Sequence, residues 1–360
     1  MANYAPPKRQ GWFQVKAAGR WSIATVMLLL AAWGAGLLFY QLPGPVWLAG
    51  GVAAAWLVVA GWVALGVGRG RPTRRRLGIF AACLAALGAW WMALSPRQDR
   101  VWADDVAERL HVVSFDGRHV VLDNVRDFRW RSEDDYDVRW VRREYDLQQL
   151  RSADLVLSYW MGPAIAHTLV SFGFDDGRQL VFSVEIRKER GESFSALGGF
   201  FRRFEMTLVA AEETDIIRTR TNARGEDVYL YRLHGLGRAQ LRALFAGYLD
   251  QARRLDAEPA WYNTLTSNCT TIVFDLARHI APGLPLDHRL LLSGYLAEYA
   301  YEQHALVPGH DFATLKARGR ITERALQPGS EADFSTRIRR GVPGTLQDED
   351  LRNHGQGSAQ

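Results

Sequence analysis

The stretch Ala166-His167-Thr168-Leu169-Val170-Ser171-Phe172-Gly173-Phe174 is followed by Asp175-Asp176-Gly177-Arg178 and then by Gln179-Leu180-Val181-Phe182-Ser183-Val184-Glu185-Ile186. It reads as a β-hairpin. Two β-rich runs flank a three-residue turn in which Gly177 takes the left-handed position and Phe174 pairs with Arg178. In that register Thr168, Val170, Phe172 and Phe174 share a face with Val184, Phe182 and Leu180. The other face sets His167 opposite Glu185 and Leu169 opposite Ser183. A two-residue turn would scramble the apolar match, because a one-residue slip turns every side chain of a strand over. Cross-strand partners have Cβ atoms roughly 5 Å apart, so Glu185 is placed to orient the His167 imidazole. The plainer alternative is a structural His–Glu pair on a half-exposed sheet.

Further strands are expected around this hairpin. His111–Phe115 and His119–Leu122 form a second hairpin about Asp116-Gly117, and Val138–Tyr145, Leu155–Trp160, Glu205–Ala210 and Val228–Leu233 have strand character. A short helix is expected over residues 103–110. Longer helices are expected over Arg238–Arg254, from Cys269 to Ile280, and over Leu290–Tyr301. Strands dominate the middle and helices the end, which is an α+β order. Beyond Gln327 the chain is polar and rich in Gly and charge, and residues 327–360 are expected to be a disordered tail.

Upstream, the chain changes character. No charged residue occurs from Trp21 to Gly68, and Pro43-Gly44-Pro45 breaks that run in two. Trp21–Tyr40 and Val46–Val67 each approach the roughly 20 residues that cross a bilayer. Leu77–Leu94 is a third apolar run, with Trp90 and Trp91 suited to an interface. A cleaved signal peptide fits the first run poorly, because the run is too long and no small-residue cleavage site follows. Residues 1–96 are thus expected to be a membrane region of three transmembrane helices, and 97–326 an exported domain. The N-terminal arm carries Lys8, Arg9, Lys16 and Arg20, and the loop Gly68–Arg76 carries five arginines. The turn between the first two runs carries no charge. Positive-inside bias puts the arm and the arginine loop in the cytoplasm and everything after Ser95 on the far side. In a bacterium this is a multi-pass inner-membrane protein with its C-terminal domain in the periplasm.

The formal charge of the 360-residue chain is +5, which taken alone suggests an anionic partner. The charge is unevenly distributed. The first 96 residues hold nine of the 44 basic side chains and none of the 39 acidic ones, leaving 35 basic against 39 acidic in the rest. The exported part is mildly acidic, so nucleic acid is not an expected partner. His-Glu-x-x-His, P-loop and Cys/His-cluster patterns do not occur, and neither a metal nor a nucleotide cofactor is expected.

Cys269 is the lone cysteine outside the apolar runs, since Cys83 lies within the third. It follows Thr266-Ser267-Asn268, a good helix N-cap, and precedes an apolar stripe at 272, 273, 276, 277 and 280. A thiol in the first turn meets unpaired N–H groups and the positive end of the helix dipole, which favour a thiolate. The same amides suit an oxyanion. Cys269 as nucleophile, His167 as base and Glu185 as orienting group make a candidate catalytic set; the competing reading of Cys269 is a small core residue. Asn268, Tyr262 and Asn263 are candidates for lining the oxyanion or substrate site. Gly198-Gly199-Phe200-Phe201-Arg202-Arg203-Phe204 combines aromatic and arginine side chains, which suits either contact with lipid headgroups or entry into a buried strand.

Several elements in order carry a family resemblance: Ser158-Tyr159-Trp160, Ala166-His167-Thr168, Phe182-Ser183-Val184-Glu185-Ile186-Arg187-Lys188-Glu189, Thr221-Asn222-Ala223-Arg224, and Tyr262-Asn263-Thr264-Leu265-Thr266-Ser267-Asn268-Cys269-Thr270-Thr271. Together they resemble the Lnb N-terminal periplasmic domain family over about residues 110–300. The type member is a lipoprotein N-acyltransferase, and the resemblance implies that His167 and Cys269 are catalytic. The order of His before a helix-starting Cys also resembles the permuted papain-like fold of lecithin:retinol acyltransferase, whose members carry acyl groups as thioesters. It implies an antiparallel sheet with a Cys-bearing helix, no cofactor, and a membrane lipid or lipoprotein substrate. Ala166 stands where Gly is common in the family. Two alternatives stay open on the residues: a cysteine hydrolase of cell-wall peptides, and a non-catalytic envelope protein with a buried cysteine. The sequence leaves the oligomeric state open.

Overall fold

A computed structural model of the chain describes residues 10–71 and 74–345, with the side chains from residue 18 onward. The described residues fall into two compact units. The first comprises the chain to Pro96 together with Leu197–Arg203, and the second comprises Arg97–Ala196 and everything from Phe204. The expected exported domain is therefore interrupted by seven residues that group with the N-terminal helices.

The first unit is built on helices α1 (Gln10–Gln41), α2 (Val46–Gly68) and α3 (Arg74–Ala93). Ala18–Gln41, Val46–Gly68 and Arg74–Ala93 are each long and apolar enough to cross a membrane. Small residues let the helices approach. Ala24, Ala31, Ala60 and Ala64 are buried with Met27, Val63, Val67 and Phe80, and the Trp56 ring stacks on Phe80. The Trp56 indole N–H donates to the Ala31 carbonyl at 2.8 Å, which satisfies a polar group that lipid cannot. Short helix α4 (Ala196–Phe200) lies largely within the inserted segment. Lys8 and Arg9 of the basic arm lie outside the described residues.

In the second unit, β1 (His111–Phe115), β2 (His119–Arg126), β5 (Trp140–Asp146), β6 (Leu150–Tyr159), β7 (Ala166–Phe174), β8 (Gln179–Arg187), β9 (Glu205–Glu212) and β10 (Asp227–Arg232) form one sheet. Its order is β1-β2-β9-β8-β7-β6-β10, with β5 also paired to β2. All pairings are antiparallel except a single parallel bridge between β2 and β9. Strands β3 (Arg129–Trp130) and β4 (Tyr136–Asp137) make a separate ribbon. The protein is thus mixed α/β, with three long apolar helices followed by a mostly antiparallel sheet and its helices.

The sheet is covered on both faces, so every residue of β7 is buried. One face packs Val170, Phe172, Phe174, Phe182 and Val184 against Leu241, Phe245, Tyr248 and Leu249 of α6 (Arg238–Ala257). Helix α7 (Cys269–Ile280) packs on the same face through Ile272, Val273 and Leu276. The other face packs Leu169, Val181 and Val209 against α5 (Glu213–Arg218), whose Ile216 and Ile217 are buried there. A turn of π-helix, Thr219–Ala223, continues α5.

Residues expected to be helical over 103–110 form only one 3₁₀ turn, Asp104–Val106. In the region expected to be a helix over Leu290–Tyr301, the helix α8 starts at Leu296 (Leu296–Glu302), after two 3₁₀ turns. Helices α9 (Phe312–Gly319) and α10 (Thr322–Leu326) follow. The expected disordered tail is corrected over residues 327–345. Helix α11 (Phe334–Ile338) places Phe334 and Ile338 in the core beside Ile321 and Ala325, and Val342, beyond the helix end, joins them. The four-residue spacing of Phe334 and Ile338 is a helical pair, short enough to be hidden among charges. Residues 346–360 lie outside the described part of the chain.

Candidate active site

The register of β7 and β8 is the one the turn chemistry predicts. Leu169 opposes Ser183 and Gly173 opposes Gln179. The Phe174 N–H donates to the Arg178 carbonyl, and Gly177 has φ of +86°. The ladder ends at Leu169 and Ser183. Beyond it β7 stays with β6 as far as Ala166, and β8 stays with β9 as far as Arg187. The two strands therefore part, and His167 and Glu185 lie just past the last paired positions.

That parting allows residues from opposite faces of the sheet to meet. His167 alternates with Leu169 and Ser171, on the face away from α6 and α7. Cys269, the first residue of α7, is part of the core on the α6 side. Its thiol is nevertheless close enough to the His167 imidazole and the Thr168 N–H for both to lower its pKa, and its Sγ lies 4.0 Å from Thr270 Oγ1. A Thr168–Thr270 hydroxyl contact of 3.1 Å holds the helix start to β7.

On its other side the imidazole is fully engaged. His167 Nε2 lies 2.7 Å from Ser183 Oγ and 3.1 Å from Glu185 Oε1. Ser183 donates its own hydroxyl proton to Glu185 Oε1 at 2.7 Å. The Ser183 oxygen is then free to accept, so Nε2 carries the proton and Nδ1 is the nitrogen left for the thiol. Glu185 also receives Arg220 Nη2 at 2.9 Å. Arg220 Nη1 reaches Glu226 at 3.3 Å, and Glu226 in turn accepts from Ser158.

These partners set the charges. Burial, the largest single influence, pushes the imidazolium of His167 to lose its proton, and the Glu185 carboxylate and Cys269 together reverse it. The imidazole is raised to about 9, with Arg220 opposing and Cys269 assisting. Burial works against the Glu185 charge, yet His167 and Arg220 hold it well below the usual carboxylate range. Burial pushes the Cys269 thiol up; His167 and the Thr168 amide bring it below its ordinary value. Desolvation is thus offset in all three groups by adjacent partners, which favours the thiolate–imidazolium form of the pair.

The helix start is fixed by Asn268. Its side-chain oxygen accepts from the Thr270 and Thr271 N–H groups at 2.9 and 3.0 Å, and Thr271 returns a bond to the Asn268 N–H. Its amide donates to the Thr264 carbonyl at 2.8 Å. Asn268 lines the cleft but spends its side chain on capping. Asn263 is likewise a turn builder: it exchanges backbone bonds with Ser267 and accepts from the Leu265 and Thr266 N–H groups. Asn263 is not part of the cleft wall. Tyr262 is the candidate that faces the chemistry. Burial, followed by the charges of Cys269 and Glu185, raises its phenol well above the normal value, so it stays a neutral donor. The Cys269 N–H, at the first helical position, has no acceptor within the helix. These two donors can hold a developing oxyanion.

His167, Glu185, Tyr262, Asn268 and Cys269 line one cleft of about 410 Å³. Its lining includes apolar residues, among them Trp160, Phe194 and Leu290, and charged ones, among them Asp105, Lys188 and Arg224. Ser183 and Arg220 were not singled out by the sequence. Ser183 reads as an ordinary strand residue. Arg220 comes from the π-helical turn just before Thr221-Asn222-Ala223-Arg224, and only that motif pointed to the segment. Among the described residues no group of three His, Cys, Asp or Glu side chains is placed to hold a metal ion.

Residues 136–294 match the family model of the Lnb N-terminal periplasmic domain. The match spans both His167 and Cys269. No protein of curated function and no solved structure matches the chain. With the three apolar helices, the match identifies a membrane protein with a periplasmic domain.

Proposed function

We propose that the chain is a membrane-anchored cysteine acyltransferase acting at the periplasmic face. The observation that carries this reading is the buried Cys269–His167–Glu185 chain, with the thiol brought down and the imidazole raised. In the first step the Cys269 thiolate attacks an ester carbonyl of a lipid or lipoprotein. Tyr262 and the Cys269 N–H hold the oxyanion. The intermediate collapses to a thioester, and the His167 imidazolium gives its proton to the departing alkoxide. Neutral His167 then takes a proton from an incoming amine or alcohol, which attacks the thioester, receives the acyl group and releases Cys269. Glu185 and Ser183 hold the imidazole in the tautomer this needs. The apolar residues in the cleft lining suit an acyl chain, and three membrane-crossing helices keep the domain tethered where such chains are found.

The charged residues in the same lining favour a second reading, a cysteine hydrolase of cell-wall peptides with water as acceptor. Mass spectrometry of the purified full chain incubated with membranes separates the two. An adduct on Cys269 with the mass of a fatty acyl group supports transfer, whereas a peptide acyl-enzyme supports the hydrolase. Cys269→Ser should lose turnover by at least about 10³-fold with the fold intact. Full activity in that variant would end the thiol mechanism. Topology has its own check: reporter fusions after Arg20 and Arg76 should read as cytoplasmic, and one after Arg100 as exported.

A further inference from the structure

The seven residues between Ala196 and Phe204 belong to the unit of the apolar helices, and their contacts there are specific. The Phe201 ring lies flat against the Cα of Gly36, with no room for a Cβ. It stacks on Tyr40 at 5.6 Å and meets Trp91 edge-on at 6.5 Å. Gln41, the last residue of α1, donates to the Phe201 and Arg202 carbonyls, both at 2.8 Å. Arg202 lies over the Trp91 ring at 4.4 Å and donates to the Trp91 carbonyl at 2.6 Å. A cation thereby satisfies the carbonyl end of α3. Arg202 itself adopts φ of +57°, a conformation that a residue other than glycine keeps only when its surroundings impose it.

The C-terminal ends of α1 and α3 are the exported ends in the topology proposed above. Tyr40 and Trp91 are aromatic side chains of the kind that mark a membrane–water boundary. The segment is fixed at that level, and it presents apolar surface there. Leu197 is 66% exposed and Phe200 38%, next to an α3 end where Met92 is 76% exposed. Two arginines follow directly, Arg202 and Arg203. Apolar residues beside arginines at the boundary of a bilayer are the pattern of an interfacial anchor.

We infer that residues 197–203 are an interfacial membrane element that inserts Leu197 and Phe200 into the outer leaflet of a phospholipid bilayer. The inference rests on the proposed topology and is independent of the cysteine chemistry.

Photo-crosslinking in the full-length chain tests it. Benzoylphenylalanine is placed at Leu197, at Phe200, at Val58 on the exposed surface of α2, and at Asp176 in the β7–β8 turn. The protein is reconstituted in phosphatidylethanolamine/phosphatidylglycerol nanodiscs and lipid adducts are read by mass spectrometry. Adducts at 197 and 200 comparable to those at 58, and none at 176, are expected. Adducts at 58 without adducts at 197 and 200 would overturn the inference, whereas loss at 58 would instead overturn the topology on which it rests. In Gly36→Leu, which leaves no space for the Phe201 ring, the yield at 200 should fall several-fold while the yield at 58 holds. An unchanged yield at 200 would show that the segment is not held where we place it.

Discussion

Cys269 is an almost completely buried thiol, and burial alone would leave it protonated and inert. What makes it a candidate nucleophile is a short relay of charge: Arg220 to Glu185, Glu185 to His167, His167 to Cys269. The relay has a pH signature. The His167 proton is held up to about 9 in the fold, against roughly 6.5 for a free imidazole. The stability it contributes is therefore complete below about pH 6.5 and is lost as pH rises through about 9. Glu185 acts in the opposite direction: its depressed pKa contributes above the ordinary carboxylate range, and that contribution is lost as pH falls through the depressed value. In denaturant unfolding, the advantage of the native chain over His167→Gln should be greatest at intermediate pH and shrink above about pH 9. Alkylation of Cys269 should titrate below the free thiol value, and in His167→Gln that shift should disappear. Arg220→Met gives a sharper test. Arg220 lowers His167, so its removal should move the basic limb of the alkylation profile to higher pH; a limb that stays put would show that Arg220 acts on the fold alone.

At the scale of the element, the site depends on where α7 begins. The Asn268 cap sets Cys269 as the first helical residue and so decides which amide and which thiol face β7. Asn268→Ala removes bonds to two N–H groups and the tie to Thr264. It should cost about 1 kcal/mol of stability and slow Cys269 alkylation as the first turn frays. Asn268→Asp keeps the acceptor and should recover most of the stability, as read by denaturant unfolding. The start of this helix and the β7–β8 register were legible in the sequence because each is written locally: a cap followed by an apolar stripe, and a Gly-bearing turn between two alternating runs. The parting of the strands beyond Leu169 and Ser183 was not legible. It arises because β7 and β8 are each held by a further neighbour, β6 and β9, which is long-range information. Arg220 was hidden for a related reason. It sits in a π-helical turn after a six-residue helix, too short to show periodicity, and its partner Glu185 is 35 residues away. Asn263 and Asn268 were read as site residues because they flank the cysteine; the structure spends both side chains on backbone groups of the loop that delivers it.

For the molecule as a whole, the least legible part was the C-terminal segment, whose charges suggested disorder. The structure turns one of those charges into a clamp. Arg339, on α11's trailing turn, is buried between Asp154 of β6 and Glu213 at the start of α5, at 2.8 and 2.6 Å. Burial alone would lower the guanidinium pKa, and Glu213 with Asp154 reverses that. Glu213 also accepts from Ser171 of β7 at 2.5 Å, and α5 leads through its π-helical turn to Arg220. The segment 327–345 is therefore tied to the central strands and to the element that supplies the Glu185 clamp. Arg339→Met should leave Glu213 as a buried carboxylate with only the Ser171 and Ser335 hydroxyls as partners, while Asp154 keeps Arg232 at 2.7 Å. The expected cost is about 3–5 kcal/mol, with new protease cleavage between 327 and 345. The cost should come mainly from the orphaned charge rather than from lost packing. If so, adding Glu213→Gln to Arg339→Met should recover part of the stability, giving a double variant less damaged than the sum of its parts. Strict additivity in denaturant unfolding would show that Arg339 and Glu213 do not act as a pair, and that the C-terminal segment is held by its other contacts, the Arg339–Asp154 bond and the packing of Phe334, Ile338 and Val342 among them.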